Sequence, residues 1–254
     1  MKPEDRPKLT PEEVKQVRAM VIHQDDDVIA FDKPAGLSSQ GGRIKAHTLD
    51  DLLWAFAKSS GNRPRLIHRL DRDTSGVILT GRTKPAASFL GKAVQAHRLR
   101  KTYLAIVAPG APQPRGGEIN AALKREEIGR ESYMRVADDG DPEAQEARTV
   151  YRTLAANDEA ALVELNPVTG RMHQLRVHLA SIGRPIVGDA RYGGALTLGG
   201  KSVARLMLHA RSLAFPHPDL SGPMTVFAPL PADFEATLAR SGLNYSPANA
   251  TPSS

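Results

Sequence analysis

The chain has 254 residues, a hydrophobic content of 41% and a formal net charge of +6 from 34 basic and 28 acidic residues. This length allows one large domain or two small ones, and no apolar run approaches the roughly 18 residues of a membrane-spanning helix. The absence of cysteine excludes disulfides, thiolate metal ligands and cysteine nucleophiles. The first residues lack the apolar stretch of a secretory signal, so we expect a soluble, cytoplasmic protein without a membrane partner.

Predicted elements in the first part of the chain alternate between helices and short strands. Thr10, followed by Pro11 and then Glu13, is typical of a capped helix start. Thr48 repeats the capping pattern and predicts a helix to about residue 58. A third helix is predicted at 84–97, and apolar, β-rich runs predict strands at 17–22, 28–31, 77–80 and 102–107.

The second part of the chain begins after a linker-like break at 108–117, which is rich in proline and glycine. Helices are predicted there at 172–181 and 231–239, a loop at 138–145, and strands at 118–123, 147–154, 160–165, 204–209 and 224–227. Strands and helices interleave without a regular βαβ rhythm. The pattern therefore predicts an α+β fold with a mixed sheet instead of a doubly wound parallel one.

The most informative segment is 68–76, His-Arg-Leu-Asp-Arg-Asp-Thr-Ser-Gly, which runs directly into an apolar strand. A polar turn beside a buried strand is where a rigid scaffold positions functional side chains. From spacing alone, a carboxylate among arginines, such as Asp71, is more often a structural ion pair than a catalytic group.

Other site motifs fit the sequence less well. An aspartyl phosphatase loop, which would make the chain a metal-dependent phosphatase, requires threonine two residues after Asp73, where Ser75 stands. The glycine-rich stretch 194–202 has five residues instead of the four that a P-loop needs before Gly-Lys-Ser. His173 and His178 are five residues apart, which does not place them on one helix face as metal ligands. We therefore expect no metal and no nucleotide cofactor.

The amino-acid sequence of segment 68–76 resembles the signature of the RluA-type pseudouridine synthases. Further segments agree with this family in order, and Met172 is a departure where the family has threonine. These segments are Lys-Pro-Ala-Gly-Leu at 33–37, Arg-Lys-Thr-Tyr-Leu-Ala at 100–105, Gly-Arg-Met-His-Gln-Leu-Arg-Val-His-Leu at 170–179, 185–193, and 206–210. Together they span about residues 28 to 230.

The resemblance implies a pseudouridine synthase fold, which is an α+β architecture with a mixed, largely antiparallel β-sheet in two halves, flanking helices and a central active-site cleft. It implies an N-terminal extension at 1–24 and a catalytic domain at 25–240, whose two subdomains meet near 108–117. We expect a disordered tail at 241–254. Only about 25 residues precede the first family-like strand, so we expect the stand-alone form without an S4 domain, and a monomer.

The activity implied by the resemblance is isomerisation of uridine to pseudouridine in structured RNA. We expect large-subunit ribosomal RNA as the partner. A transfer RNA synthase and a catalytically inactive RNA-binding protein of the same fold are the alternatives. An intact set of catalytic residues argues against the inactive form.

Three residues carry the implied chemistry. Asp71 follows Arg-Leu as the family's catalytic aspartate does, and it serves as nucleophile or as stabiliser of positive charge at C1′. Tyr103 corresponds to the active-site tyrosine, with a ring for stacking on uracil and a hydroxyl for proton transfer at C5. Arg176 corresponds to the active-site arginine and is the expected partner that keeps the carboxylate ionised. Asp73 has no clear match to a required family position.

The remaining expected site residues contact RNA. Arg69 has a planar guanidinium that suits the gap left when the target uridine leaves its stack. Leu208 is an expected apolar wall of the base pocket, and Arg171 is expected to shape its loop or contact RNA. Several basic side chains are expected to contact phosphates, namely Arg72, Lys92, Arg98, Arg100 and Lys101.

Overall fold

A computed structural model describes residues 6–41, 47–58, 61–129, 131–219 and 222–245. The contacts divide the chain into two units, residues 1–101 with 210–229 and residues 102–209 with 230–254. The expected break at 108–117 falls inside the second unit. Most of the expected tail at 241–254, from residue 246 onward, lies outside the described residues. Within the described ranges, no helix is long and apolar enough to span a bilayer.

The elements alternate irregularly along the chain. Those of the first half are α1 (Pro11–Ala19), β1 (Val21–Gln24), β2 (Val28–Lys33), α2 (Leu49–Leu52), a 3-10 turn (Leu53–Phe56), β3 (Arg65–Leu66), β4 (Ser75–Gly81), α3 (Lys84–Gln95), β5 (Arg100–Val107), β6 (Gly116–Asn120) and β7 (Leu123–Ile128). Those of the second half are β8 (Glu131–Val136), β9 (Arg148–Ala156), β10 (Ala161–Pro167), α4 (Gln174–Ser181), β11 (Thr197–Leu198), β12 (Lys201–Ser202), β13 (Leu208–Pro216), β14 (Pro223–Phe227) and α5 (Ala232–Arg240).

The first unit is built on antiparallel strands, with β1 paired to β2, β2 to β4, and β13 to β14. Gly76, the last residue of the signature segment, has a φ of +112°. A Cβ built on it would lie 2.2 Å from the backbone oxygen of Ala210. Only glycine permits this approach, so the signature ends where two backbones come close together. The core of this unit consists of Val28, Ala30, Val77, Leu79, Leu90, Leu213, Phe215, Val226 and Ala228.

The second unit contains an antiparallel sheet in the order β5-β10-β9-β6 and a separate hairpin of β7 and β8. Tyr103 lies opposite Leu165 in this sheet. Helix α4 is buried along six consecutive residues, 174–179, as expected of a helix inside a core. Val177 of this helix packs with Leu123 and Met134 of the hairpin. The α+β architecture with largely antiparallel strands is therefore confirmed.

The capping signals are confirmed at both predicted sites, since Thr10 and Thr48 each form a capping box with the residue three positions on. The predicted strand at 17–22 is wrong. Helix α1 continues to Ala19, and its apolar Val17 is the buried position of that helix, not the start of a strand. Strand β1 begins only at Val21.

Other predicted boundaries also differ from the structure. The predicted helix to residue 58 is shorter, because α2 ends at Leu52 and a 3-10 turn follows. The predicted strand at 204–209 is displaced, since β13 begins at Leu208 and extends to Pro216. The predicted helix at 172–181 begins at Gln174. The β7–β8 hairpin was not predicted as a separate element.

Candidate active site

The loop that carries Asp71 joins β3 to β4 in the first unit, and Asp71 is half-buried within it. The residue before Asp71 is fixed by a buried serine. The hydroxyl of Ser39 donates to the carbonyl oxygen of Leu70 at 2.7 Å and accepts from the N–H of Leu70 at 3.1 Å. Both backbone groups of Leu70 are therefore satisfied by one side chain.

The residue after Asp71 is fixed by a buried lysine. The ammonium group of Lys33 donates to the carbonyl oxygens of Pro34 and Leu37, both at 2.8 Å, and of Arg72 at 3.1 Å. The N–H of Gly36 also donates to the carbonyl oxygen of Arg72, at 2.8 Å. A fully buried ammonium group needs such acceptors. The Lys-Pro-Ala-Gly-Leu segment therefore holds the signature loop in place through hydrogen bonds to Arg72.

The charged neighbours of Asp71 face outward. Arg69 and Arg72 are exposed, and Nε of Arg72 donates to a carboxylate oxygen of Asp73 at 2.9 Å. Asp73 thus takes part in an ion pair at the surface with Arg72.

His68 fixes the start of the signature against β4. Its Nε2 accepts the N–H of Leu79 at 3.2 Å. Burial, together with the nearby charge of Lys101, holds the pKa of His68 well below its usual range, so the ring is neutral. Burial also lowers the pKa of Lys101, which is half-buried. The side chains of Lys92, Arg98 and Arg100 are exposed and thus more accessible than that of Lys101.

In the second unit, the Gly-Arg-Met-His-Gln segment forms the turn into α4. His173 adopts a left-handed φ of +51° directly before the helix. Gln174 stabilises the turn: its amide oxygen accepts from the hydroxyl of Thr169 at 2.7 Å and the N–H of Arg171 at 3.0 Å. Its amide nitrogen donates to the backbone of Arg148 at 2.9 Å. Arg171 itself is exposed, and its Nε donates to the carbonyl oxygen of Glu146 at 3.0 Å.

Arg176 lies two residues inside α4 and is buried. Its Nε and Nη2 donate to the two carboxylate oxygens of Asp189, each at 2.7 Å. Asp189 also accepts the N–H groups of Arg191 at 3.1 Å and Tyr192 at 3.2 Å. The guanidinium carbon of Arg176 lies 4.9 Å from the centre of the Tyr192 ring. A bidentate partner and a ring face together fix the plane of the guanidinium.

Tyr103 and Leu208 are both buried, at 7% and 3% exposure. Tyr103 lies on β5, and Leu208 is the first residue of β13. Asp71, Arg69 and Arg72 thus share one loop of the first unit. Tyr103, Arg171, Arg176 and Leu208 belong to the second unit.

Sequence reasoning missed the roles of Lys33, Ser39 and Asp189. Lys33 and Asp189 both lie in segments that resemble the family, but the residue types do not reveal their partners. Ser39 carries no motif signal. Across the described residues, no group of three or more histidine and acidic side chains is arranged to hold a metal ion.

The comparisons with known proteins agree with one another. Residues 27–181 match the model of a family described as RNA pseudouridylate synthase. The chain is 33% identical over 265 residues to the mitochondrial pseudouridylate synthase RPUSD4 of Xenopus tropicalis, covering 89% of this chain and 82% of that protein. It is 32% identical over 237 residues to the ribosomal large subunit pseudouridine synthase C of Vibrio vulnificus, covering 92% and 72%.

Two further similarities extend this result. The chain is 35% identical over 236 residues to the ribosomal large subunit pseudouridine synthase D of Xylella fastidiosa, covering 86% of this chain and 68% of that protein. The solved structure of human RNA pseudouridylate synthase domain containing 4 matches with a TM-score of 0.78 at 28% identity, covering 91% of this chain and 96% of that one.

Proposed function

The chain belongs to the family of RluA-type RNA pseudouridylate synthases, and we propose that it converts uridine to pseudouridine in large-subunit ribosomal RNA. The isomerase activity on RNA is the activity of the family. The choice of ribosomal RNA is carried by one observation: two similar relatives bear the name of ribosomal large subunit synthases.

The reaction rearranges the nucleoside without gain or loss of atoms. The N1–C1′ bond breaks, the base turns, and C5 bonds to C1′; C5 loses its proton and N1 gains one. In our proposal Asp71 supplies the anionic oxygen that attacks C1′ or stabilises positive charge there. The fixed carbonyl groups of Leu70 and Arg72 support this role, because they present Asp71 from a backbone that is already in place.

The second unit supplies the other proposed catalytic groups. Tyr103 stacks on the uracil ring and takes part in proton transfer at C5. Arg176 stabilises negative charge in the reaction, as the active-site arginine of the family. The bidentate contact with Asp189 supports this assignment, because a guanidinium fixed in this way needs little reorganisation when substrate binds.

RNA binding is assigned to exposed cations. Arg69 fills the space left by the flipped uridine, and its exposure supports that role. Lys92, Arg98 and Arg100 contact phosphates, for which exposed positions suffice. Lys101 is separated from this group, because its side chain is half-buried and less accessible to RNA.

A direct assay tests the substrate. Unmodified transcripts of large-subunit ribosomal RNA and of transfer RNA, each with tritium at C5 of uridine, would be incubated with the purified chain. Formation of pseudouridine releases the tritium to water. We expect release from the ribosomal transcript alone. Release from transfer RNA alone would overturn the proposed substrate, and release from neither would contradict the proposed activity and favour the inactive RNA-binding alternative.

A further inference from the structure

Tyr192 contacts three different elements of the second unit at once. Its ring lies against the guanidinium of Arg176 on α4, at 4.9 Å. Its hydroxyl accepts the N–H of Met134 on β8 at 3.1 Å. The same hydroxyl lies 2.8 Å from Nδ1 of His173, at the turn before α4. One side chain therefore connects the hairpin, the helix start and the arginine.

The backbone of Tyr192 makes a fourth connection. Its N–H donates to the carboxylate of Asp189, which holds Arg176 from the other side. The neighbouring Arg191 adds a second tie to the hairpin, because its guanidinium donates to the carbonyl oxygen of Ser132 at 2.8 Å. The loop at 189–192 thus holds Arg176 and is itself fastened to β8.

Two groups together determine the orientation of the Arg176 guanidinium. The carboxylate of Asp189 fixes the edge of the guanidinium but leaves its tilt about that edge free. The face of the Tyr192 ring restricts the tilt. We propose that Tyr192 is a positioning residue for Arg176, and that its hydroxyl makes this placement depend on the β7–β8 hairpin being packed against α4.

The proposal rests on the proposed function, which places Arg176 in the reaction. The hydroxyl keeps its proton at neutral pH, because burial raises the pKa of Tyr192 above its usual value. It can therefore donate one hydrogen bond while it accepts the N–H of Met134.

Two substitutions separate the ring from the hydroxyl. Tyr192→Phe keeps the ring and removes both hydroxyl contacts, and Tyr192→Leu removes the ring as well. Tyr151→Phe is the matched control, because its buried hydroxyl donates to the carbonyl oxygen of Pro114 at 3.0 Å in the same unit. The measurements are the single-turnover rate, the Kd for RNA and hydrogen exchange at the amide of Met134.

We expect Tyr192→Phe to slow the single turnover about 5-fold and Tyr192→Leu about 20-fold, with Kd for RNA almost unchanged. Exchange at the Met134 amide should rise in both variants, because its acceptor is lost. Tyr151→Phe should leave the rate and this exchange unchanged. A wild-type rate in Tyr192→Phe and Tyr192→Leu would overturn the proposal, as would a loss of RNA affinity equal to the loss of rate.

The outcomes distinguish this inference from the proposed function. Full activity in Arg176→Met would contradict the role of Arg176 itself. An inactive Arg176→Met together with fully active Tyr192 variants would overturn the positioning role alone. If Tyr192→Leu does not fold, Tyr192→Phe decides the question, since it preserves the packed ring.

Discussion

Asp71 and Arg176 are held in place by different kinds of contact. The loop of Asp71 is fixed through the backbone of its neighbours, which Ser39 and Lys33 bind. Arg176 is fixed through its own side chain, by Asp189 and the ring of Tyr192. The first set of contacts is made by neighbouring residues, whereas the second set is made by the guanidinium that is proposed to act in the reaction.

This difference has a consequence for mutagenesis. A substitution at Asp71 should lower the reaction rate with little change in the free energy of unfolding, whereas a substitution at Arg176 should lower both. Substitutions of the residues that hold Asp71 and Arg176 in place should reduce the reaction rate less than substitutions of Asp71 and Arg176 themselves.

The largest expected effect is that of Asp71→Asn, which keeps the size and polarity of the side chain but removes its charge. The turnover rate should fall by at least about 1,000-fold, since the anionic oxygen is lost. RNA affinity and Tm should stay near the wild-type values. The control is Asp73→Asn, which breaks only the surface pair with Arg72 and should remain active. An inactive Asp73→Asn would mean that the wrong acid has been assigned.

Arg176→Met should reduce the rate about 100-fold and also destabilise the protein. It leaves the carboxylate of Asp189, whose side chain has 0% exposure, without its guanidinium partner. Loss of one partner of a buried ion pair costs about 3–5 kcal/mol, measurable by urea unfolding. The double variant Arg176→Met with Asp189→Asn should recover part of this stability but none of the activity. Recovery of activity would show that Arg176 acts only on the fold.

Ser39→Ala tests the scaffold of the Asp71 loop. It leaves the N–H and the carbonyl group of Leu70 without their hydrogen bonds, at a cost of about 1–3 kcal/mol. A displaced loop should slow turnover about 10-fold with little change in Kd for RNA. Ser38→Ala is the matched control, one residue earlier in the chain. Equal rates in the two variants would show that the Leu70 contacts do not position Asp71.

Arg69→Ala should slow the reaction on folded RNA several-fold more than on a short unstructured oligonucleotide, because flipping a stacked base costs a few kcal/mol. Lys92→Ala is the comparison variant, with a phosphate contact that should weaken binding to both RNAs and flatten the salt dependence. Equal impairment of Arg69→Ala on both substrates, with rescue at low salt, would make Arg69 one more phosphate contact.

The smallest effect concerns Asp32, the residue before Lys33. Burial raises its pKa from 3.8 to about 6, against an opposing contribution from the charge of Lys33. Because the folded state holds the proton more tightly, wild-type stability falls as pH rises from about 4 to about 6. Asp32→Asn should therefore have the higher Tm above pH 6 and about the wild-type Tm below pH 4. A Tm difference that is constant with pH would contradict this.

Local signals in the sequence predicted local structure well. Thr10 and Thr48 predicted their capping boxes, and the polar turn before an apolar run predicted the Asp71 loop beside β4. The error at 17–22 arose because a short apolar run fits a helix face as well as a strand. The β7–β8 hairpin was missed because charged residues dominate β7, so the alternation of a half-buried strand is absent.

The contacts that fix the candidate site were not predictable in the same way. Lys33 binds a carbonyl oxygen 39 residues away, and Ser39 binds Leu70 across 31 residues. Asp189 reaches Arg176 over 13 residues that include the end of α4 and a turn. Such pairings depend on the whole fold, whereas motifs record only which residues are present.

We propose that this chain modifies large-subunit ribosomal RNA through Asp71. The most direct test of this proposal is to map pseudouridines in total RNA from a strain that lacks the gene, complemented with the wild-type chain or with Asp71→Asn. We predict that sites in large-subunit ribosomal RNA disappear, that the wild-type chain restores them and that Asp71→Asn restores none. Loss confined to transfer RNA, or restoration by Asp71→Asn, would contradict the account.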